Sequence, residues 1–266
     1  MKEEALAIVH DVVSPAQKLN LLREYLQAFT MRSLHESEAF LCLSFVGGTA
    51  LRFLFDLPRF SEDLDFSLEN AEGYEPVKWM EKLKRDLSFA GFNSTISWND
   101  RKTVHTGWVR TADLLHEIGL STMPEQKLSI KIEIDTRPPK GAVDVRAVVN
   151  RHMVFAIRHH DLSSLMAGKI HVLATRSYVK GRDWYDLLWY RGRRPPVEPN
   201  LILLQNALTQ TEGQRIFDVE DWRSYLVHKL HVLDQKSLIA DVRAFLERPQ
   251  EAELLTVENF RAVLQA

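Results

Sequence analysis

Two aspartates flank Leu64 in a stretch that reads as a strand, and they are the first residues in this chain whose types and spacing could do chemistry. Side chains alternate along a strand, so Asp63 and Asp65 share one face while Leu64 and Phe66 turn to the other, towards a core. Two neighbouring carboxylates repel one another, and a divalent cation relieves that repulsion. Magnesium suits carboxylate oxygens and completes its octahedron with water and substrate phosphates. Two such ions could activate an attacking hydroxyl and stabilise a leaving pyrophosphate. Upstream stands Gly47-Gly48-Thr49. It ends the short apolar run Phe45-Val46 and opens a helix. Glycine lets backbone approach a ligand closely, and a helix start offers free N–H groups to phosphate. The Thr49 hydroxyl could add a contact or cap the helix.

Taken singly, an Asp-x-Asp pair is commonly a solvated strand edge, and a Gly-Gly-Thr turn is commonly just a turn. The gap between Thr49 and Asp63 joins them. It has room for a helix, a turn and a returning strand, which would bring both features to one end of a sheet.

The elements that must position these residues follow from periodicity. Residues 14–43 read as mainly helical, with Leu19, Leu22, Tyr25, Leu26 and Phe29 at helical spacing. A short helix is expected over 49–56, stopped by Pro58, then a strand over 64–68 and a helix over 76–89. Extended structure is expected over 92–98, 103–110 and 127–135. In the last, Leu128, Ile130, Ile132 and Ile134 face one way; Ser129, Lys131, Glu133 and Asp135 face the other. From about 161 the chain reads as helical: 161–175, 183–191, 198–209, 219–231 and 235–246. The expected fold class is α+β: a mixed β-sheet with flanking helices, followed by a helical C-terminal region. The expected domains are 1–155 and 156–266.

Composition bounds the function. The chain has 266 residues, 45% hydrophobic and 26% charged, as an ordinary globular protein does. A formal net charge of -2 supplies no global basic field for nucleic acid. The single cysteine, Cys42, lies in an apolar stretch and cannot build a disulfide framework or a cysteine zinc site. No run approaches transmembrane length and the N-terminus has no signal-peptide pattern, so a cytoplasmic protein without membrane contact is expected.

Gly48-Thr49 followed by Asp63-Leu64-Asp65 resembles the glycine-serine and Asp-x-Asp signature of the DNA polymerase β-like nucleotidyltransferases, with threonine in place of serine. The longer stretches Gly47-Gly48-Thr49-Ala50-Leu51 and Arg59-Phe60-Ser61-Glu62-Asp63-Leu64-Asp65-Phe66 are more similar still to the AbiEii/AbiGii toxin group of that superfamily. A downstream block, Leu165 to Leu173 and then Lys180-Gly181-Arg182-Asp183-Trp184-Tyr185-Asp186-Leu187, is similar to that group's lysine and Arg-Asp-x-x-Asp motif. The matched blocks span roughly residues 44–190.

The downstream block also reads without the family. Leu162, Leu165, Met166, Ile170 and Leu173 form a helical stripe on which Lys169 falls. A lysine there either snorkels or meets an anion. Asp183 could cap the next helix, with Asp186 adding favourable charge in its first turn. The resemblance implies instead that Lys169 and Asp183 belong to the catalytic site, and leaves Asp186 open. It further implies a third acid on another strand, for which Glu133 is preferred over Asp135 because it lies deeper in its strand. Arg52 and Arg59 flank the first motif and could touch phosphate; Arg52 could equally be an exposed helix residue. Arg176, Lys180, Arg182, Arg191, Arg193 and Arg194 make the second block basic, as a solvated face or an RNA contact. His159, His160 and His171 do not make a zinc set.

The resulting expectation is a magnesium-dependent nucleotidyltransferase using two ions. Asp63, Asp65 and Glu133 would hold metal; Gly47, Gly48, Thr49 and Arg52 would bind substrate; Asp63, Asp65, Lys169 and Asp183 would be catalytic. The implied partners are an NTP, an acceptor that is RNA, tRNA in particular, or a protein side chain, and a cognate antitoxin. The alternatives are a non-catalytic NTP-binding module and a small-molecule transferase of the aminoglycoside-modifying kind.

Overall fold

The computed structural model describes residues 1–212 and 217–265. The chain divides into two compact units. The first comprises residues 1–56, 60–138 and 146–159; the second comprises 57–59, 139–145 and 160–266.

The first unit opens with helices α1 (Lys2–Ile8) and α2 (Pro15–Glu36). Ser14 caps α2 by accepting from the Gln17 amide, and Pro15 stands in its first turn, where a missing N–H costs nothing. Leu22, Tyr25, Leu26 and Phe29 are buried, as their spacing requires. Strand β1 (Leu43–Val46) leads into α3 (Gly47–Phe55), and β2 (Leu64–Leu68) returns beside β1. Helix α4 (Pro76–Phe89), the strands β3 (Ser94–Asn99) and β4 (Val104–Thr111), and the single-turn α5 (Leu114–Glu117) follow. Strand β5 (Leu128–Asp135) alternates strictly between buried isoleucine or leucine and half-buried polar side chains. Strands β6 (Asp144–Arg151) and β7 (Met153–His160) complete a seven-stranded sheet in the order β3-β4-β5-β2-β1-β7-β6.

The sheet is mixed. Strand β2 runs antiparallel to β1 and parallel to β5, β4 runs antiparallel to both β3 and β5, and β7 lies parallel to β1. The strands β1, β2 and β5 are therefore interior to it, with Phe45, Phe66, Ile132 and Ile134 all buried. Every element expected between residues 45 and 135 is present within a few residues of its expected limits. Strands β6 and β7 were not anticipated. Their turn is His152 alone, held in the left-handed region at φ 61°, without the Asn-Gly or Asp-Gly that normally marks a tight hairpin. Asp63 lies one residue before β2 begins, so only Asp65 is part of the ladder.

The second unit carries α6 (Leu162–Thr175), α7 (Gly181–Gly192), α8 (Leu201–Glu212), α9 (Trp222–Lys229), α10 (Gln235–Arg243) and α11 (Val257–Gln265). Asp161 caps α6 from its side chain, accepting from the Ser164 amide, and Asp234 caps α10. Helix α7 begins against the backbone of α10. A β-carbon on Gly181 would stand 2.9 Å from the Leu238 carbonyl carbon, so only glycine permits that approach. Among the described residues, no helix is long and apolar enough to cross a membrane.

Candidate active site

In the first unit the glycine turn and the aspartates meet. Val46, the last residue of β1, pairs with Asp65 on β2, so the chain leaves the sheet for α3 directly beside the Asp65 side chain. Gly47 makes that departure at φ +78°, in the region glycine favours. A β-carbon there would meet the Asp65 carboxylate and come to 3.1 Å from its Cβ and Cγ. The missing side chain of Gly47 is thus the space in which the Asp65 carboxylate stands. Thr49, fully buried, donates its hydroxyl to the main-chain carbonyl of Asp63. It does not cap α3. Its bond ties the first turn of the helix to the segment that carries the first aspartate.

The parallel pairing of β2 with β5 brings in the third strand. Asp65 is in register with Glu133, and Ser67 with Asp135. Glu133 is consequently level with the glycine turn, whereas Asp135 lies one step of the pleat further along and accepts from the Arg137 amide at 2.9 Å. Asp63, Asp65 and Glu133 are half-buried and offer only carboxylate oxygens, a hard donor set of the kind magnesium takes.

Lys131, two residues before Glu133 on the same face, forms an ion pair with it at 2.7 Å. The Glu133 carboxylate, then Asp63 and Asp65, hold the Lys131 ammonium above the usual lysine range against the opposing pull of burial. Its ammonium also lies 5.9 Å from the centre of the Trp108 ring.

Arg52 is placed otherwise than as a substrate-facing or exposed residue. Only 3% of it is accessible, its Nε donates to Glu24 at 2.5 Å, and its guanidinium stacks over Phe60 at 4.5 Å. Helical spacing turns it to the inner side of α3, where a buried carboxylate on α2 awaits it. Glu24 also meets His152 at 2.9 Å and Arg151 at 3.7 Å. Burial pushes the Glu24 carboxyl upward, but the His152 hydrogen bond and Arg52 outweigh it and hold the carboxyl below its usual range.

The second unit holds a separate buried charge network. Lys169 contacts Asp183 at 2.7 Å and Asp186 at 2.7 Å. Asp186, wholly inaccessible, is gripped by the Arg59 fork through two bonds of 2.6 Å. Asp183 also takes an ion pair from Arg176. The lysine on the apolar stripe of α6 thus meets anions, and these anions are the chain's own. Burial lowers the Lys169 pKa, and Asp186 with Asp183 more than reverses this, so the ammonium stays charged. Burial likewise raises Asp183, and Lys169 with Arg176 carries it below the ordinary carboxylate range. Asp183 does not cap α7, whose preceding residue is Lys180; it lies in the first turn.

Glu24 and His152 had no part in the sequence reading, and Lys131 entered it only as one of the polar positions on its strand. A glutamate among the apolar positions of α2 was the available signal for the first. Lys131 shares the strand face that displays Glu133 and Asp135, but its alternation alone does not say which acids a neighbouring strand will present.

The family model described as nucleotidyl transferase AbiEii toxin, type IV TA system, matches residues 30–266. Among solved structures, a protein from H. pylori provisionally called a nucleotidyltransferase aligns with a TM-score of 0.50 and 21% identity, covering 89% of this chain and 90% of that one. The structure of JHP933 from Helicobacter pylori aligns with a TM-score of 0.49 and 19% identity, covering 91% of this chain and 90% of that one. The first of these likenesses concerns the fold alone, an α+β architecture. No curated protein matches the chain.

Proposed function

The chain belongs to the AbiEii nucleotidyltransferase toxin family, and from that membership we propose that it transfers a nucleoside monophosphate from an NTP to an acceptor in a magnesium-dependent reaction. The observation that carries the proposal is the seating of Asp65, which stands against Gly47 on one side and in register with Glu133 on the other.

Asp63, Asp65 and Glu133 would hold the metal. Their donor set fits a hard cation, and the absent side chain of Gly47 leaves the Asp65 carboxylate its room. Magnesium bound there would neutralise the triphosphate and lower the cost of forming the attacking alkoxide. Gly47 and Gly48 supply the open first turn of α3, whose amides lack intrahelical partners and favour phosphate. Thr49 would act by fixing the Asp63 segment through its carbonyl rather than by gripping phosphate itself. Arg52 is left out of the substrate set, because its guanidinium is committed to Glu24. In the reaction, an acceptor oxygen bonds to the α-phosphorus as the bond to pyrophosphate breaks, and the acceptor proton passes to solvent or a carboxylate.

Lys169 and Asp183 are assigned to the same reaction on the strength of the family's downstream motif. Their test is kinetic: Lys169→Met should lose transfer out of proportion to any loss of fold. An RNA acceptor, tRNA in particular, and a cognate antitoxin follow from the toxin family and are proposed with it. A cytoplasmic location accords with both.

The decisive experiment incubates the protein with magnesium, total RNA and each labelled NTP in turn. Label transfer with pyrophosphate release is expected for at least one NTP and should vanish in Asp65→Asn. Silence across all four NTPs, with RNA and with small-molecule acceptors, would leave a nucleotide-binding module without chemistry. Transfer to an aminoglycoside but not to RNA would reassign the acceptor.

A further inference from the structure

The acidic face of the first unit already contains a cation. Lys131 sits on β5 in the position just before Ile132, which pairs with Leu64; by the same parallel register Lys131 is level with Asp63, as Glu133 is level with Asp65. The side chains of Lys131 and Glu133 leave the same face of the strand. The ammonium reaches Glu133 at 2.7 Å and is attracted by both Asp63 and Asp65. On its other side Trp108, its register partner on β4, presents its ring at 5.9 Å. Carboxylates at Asp63, just before β2, and at Asp65 and Glu133, paired across β2 and β5, would repel one another without such a charge.

We infer that Lys131 is a built-in counter-cation of the Asp63, Asp65 and Glu133 group, which balances these carboxylates in the metal-free protein and must give up its contact with Glu133 when a divalent ion binds. The inference rests on the metal-site reading above. It assigns the lysine to positioning and not to bond making. An incoming ion with two charges draws the carboxylate oxygens to itself and repels the ammonium, whose flexible stem can swing along the Trp108 face. The lysine therefore sets a threshold: the acids stay together before metal arrives, and binding is weakened by the contact that must be broken.

A part-exposed ion pair of this kind is worth a modest amount, so its removal should tighten metal binding by about two- to fivefold. The test is direct titration of the full chain with Mn2+, following the resonance signal of the free ion, for the unaltered protein, Lys131→Met, Lys131→Gln and Asp65→Asn. Circular dichroism checks each fold. Both Lys131 variants should bind Mn2+ more tightly than the unaltered protein, show a lower Tm without metal and recover that loss as Mn2+ is added. Equal or weaker Mn2+ binding in folded Lys131→Met and Lys131→Gln would overturn the counter-cation role while leaving the metal site standing. Binding that is absent from the unaltered protein, or unchanged in Asp65→Asn, would overturn the metal site and the inference with it.

Discussion

Gly47 and Asp65 occupy one another's space: the carboxylate of Asp65 lies where the side chain of any other residue at 47 would have to be, with Cβ and Cγ at 3.1 Å from that position. Val46 pairs with Asp65 in the ladder, so neither backbone can draw back without breaking β1 from β2. Gly47→Ala therefore meets two penalties, the displaced carboxylate and a positive φ of +78°. It should destabilise the protein by about 1–3 kcal/mol, readable as a fall in Tm. Mn2+ affinity should fall too, because Asp65 has to turn. A variant of unchanged stability and affinity would show that the turn does not constrain the acid.

The register of β2 with β5 separates two acids that the sequence left in competition. Glu133 is paired with Asp65 and Asp135 with Ser67. Glu133→Gln should reduce nucleotidyl transfer by about a hundredfold or more, whereas Asp135→Asn should retain activity within a small factor. Chelation with EDTA should abolish transfer in the unaltered protein and magnesium should restore it. The reverse ranking of the two variants, measured as kcat/KM, would move the third acid to Asp135.

Arg52 and Glu24 form a buried pair at 2.5 Å, with side chains 4% and 3% exposed. Removing one partner leaves the other charge buried, so Arg52→Met should cost about 3–5 kcal/mol in denaturant unfolding. Glu24→Gln should do the same, and the double variant should cost less than the two losses added. An arginine that bound phosphate would behave differently: its loss would raise KM for NTP at little cost in stability.

The network around Lys169 gives the second unit a pH window. Asp183 has its folded pKa below the unfolded carboxylate value of about 3.9, so its contribution is present above that value and is lost as pH falls through the folded pKa. Lys169 has its folded pKa above about 10.4, so its contribution is present below that value and is lost as pH rises through the folded pKa. Tm should thus fall on both limbs. Asp183→Asn should lower Tm at neutral pH and make the acid limb shallower. An acid limb as steep as that of the unaltered protein would rule out Asp183 as a contributor to it.

Much of the fold was legible because its signals are local. The alternation of Leu128 to Asp135 specifies a strand with one buried face, and Leu19, Leu22, Tyr25, Leu26 and Phe29 at helical spacing specify a helix. The hairpin of β6 and β7 was not legible. His152 turns it in a left-handed conformation without glycine, and β6 has few buried positions to show a pattern. Lys169, Asp183 and Asp186 stood out as charges in an apolar helical block, yet Arg59, which completes their network, lies 127 positions from Asp186. Arg52 looked available for phosphate because nothing near it in the chain reveals Glu24.

The amino-acid order alone singled out the candidates for the chemistry, Gly47-Gly48-Thr49 with Asp63 and Asp65, since their types and short separation are properties of one continuous segment. Only the tertiary structure decided what each of them touches. The pairing of β1, β2 and β5 places Gly47 against Asp65, aligns Glu133 with Asp65 and carries Lys131 to the same acids. The physical reason is that strand register is set by long-range hydrogen bonding and core packing, and periodicity within one strand cannot say which residue of another will lie beside it.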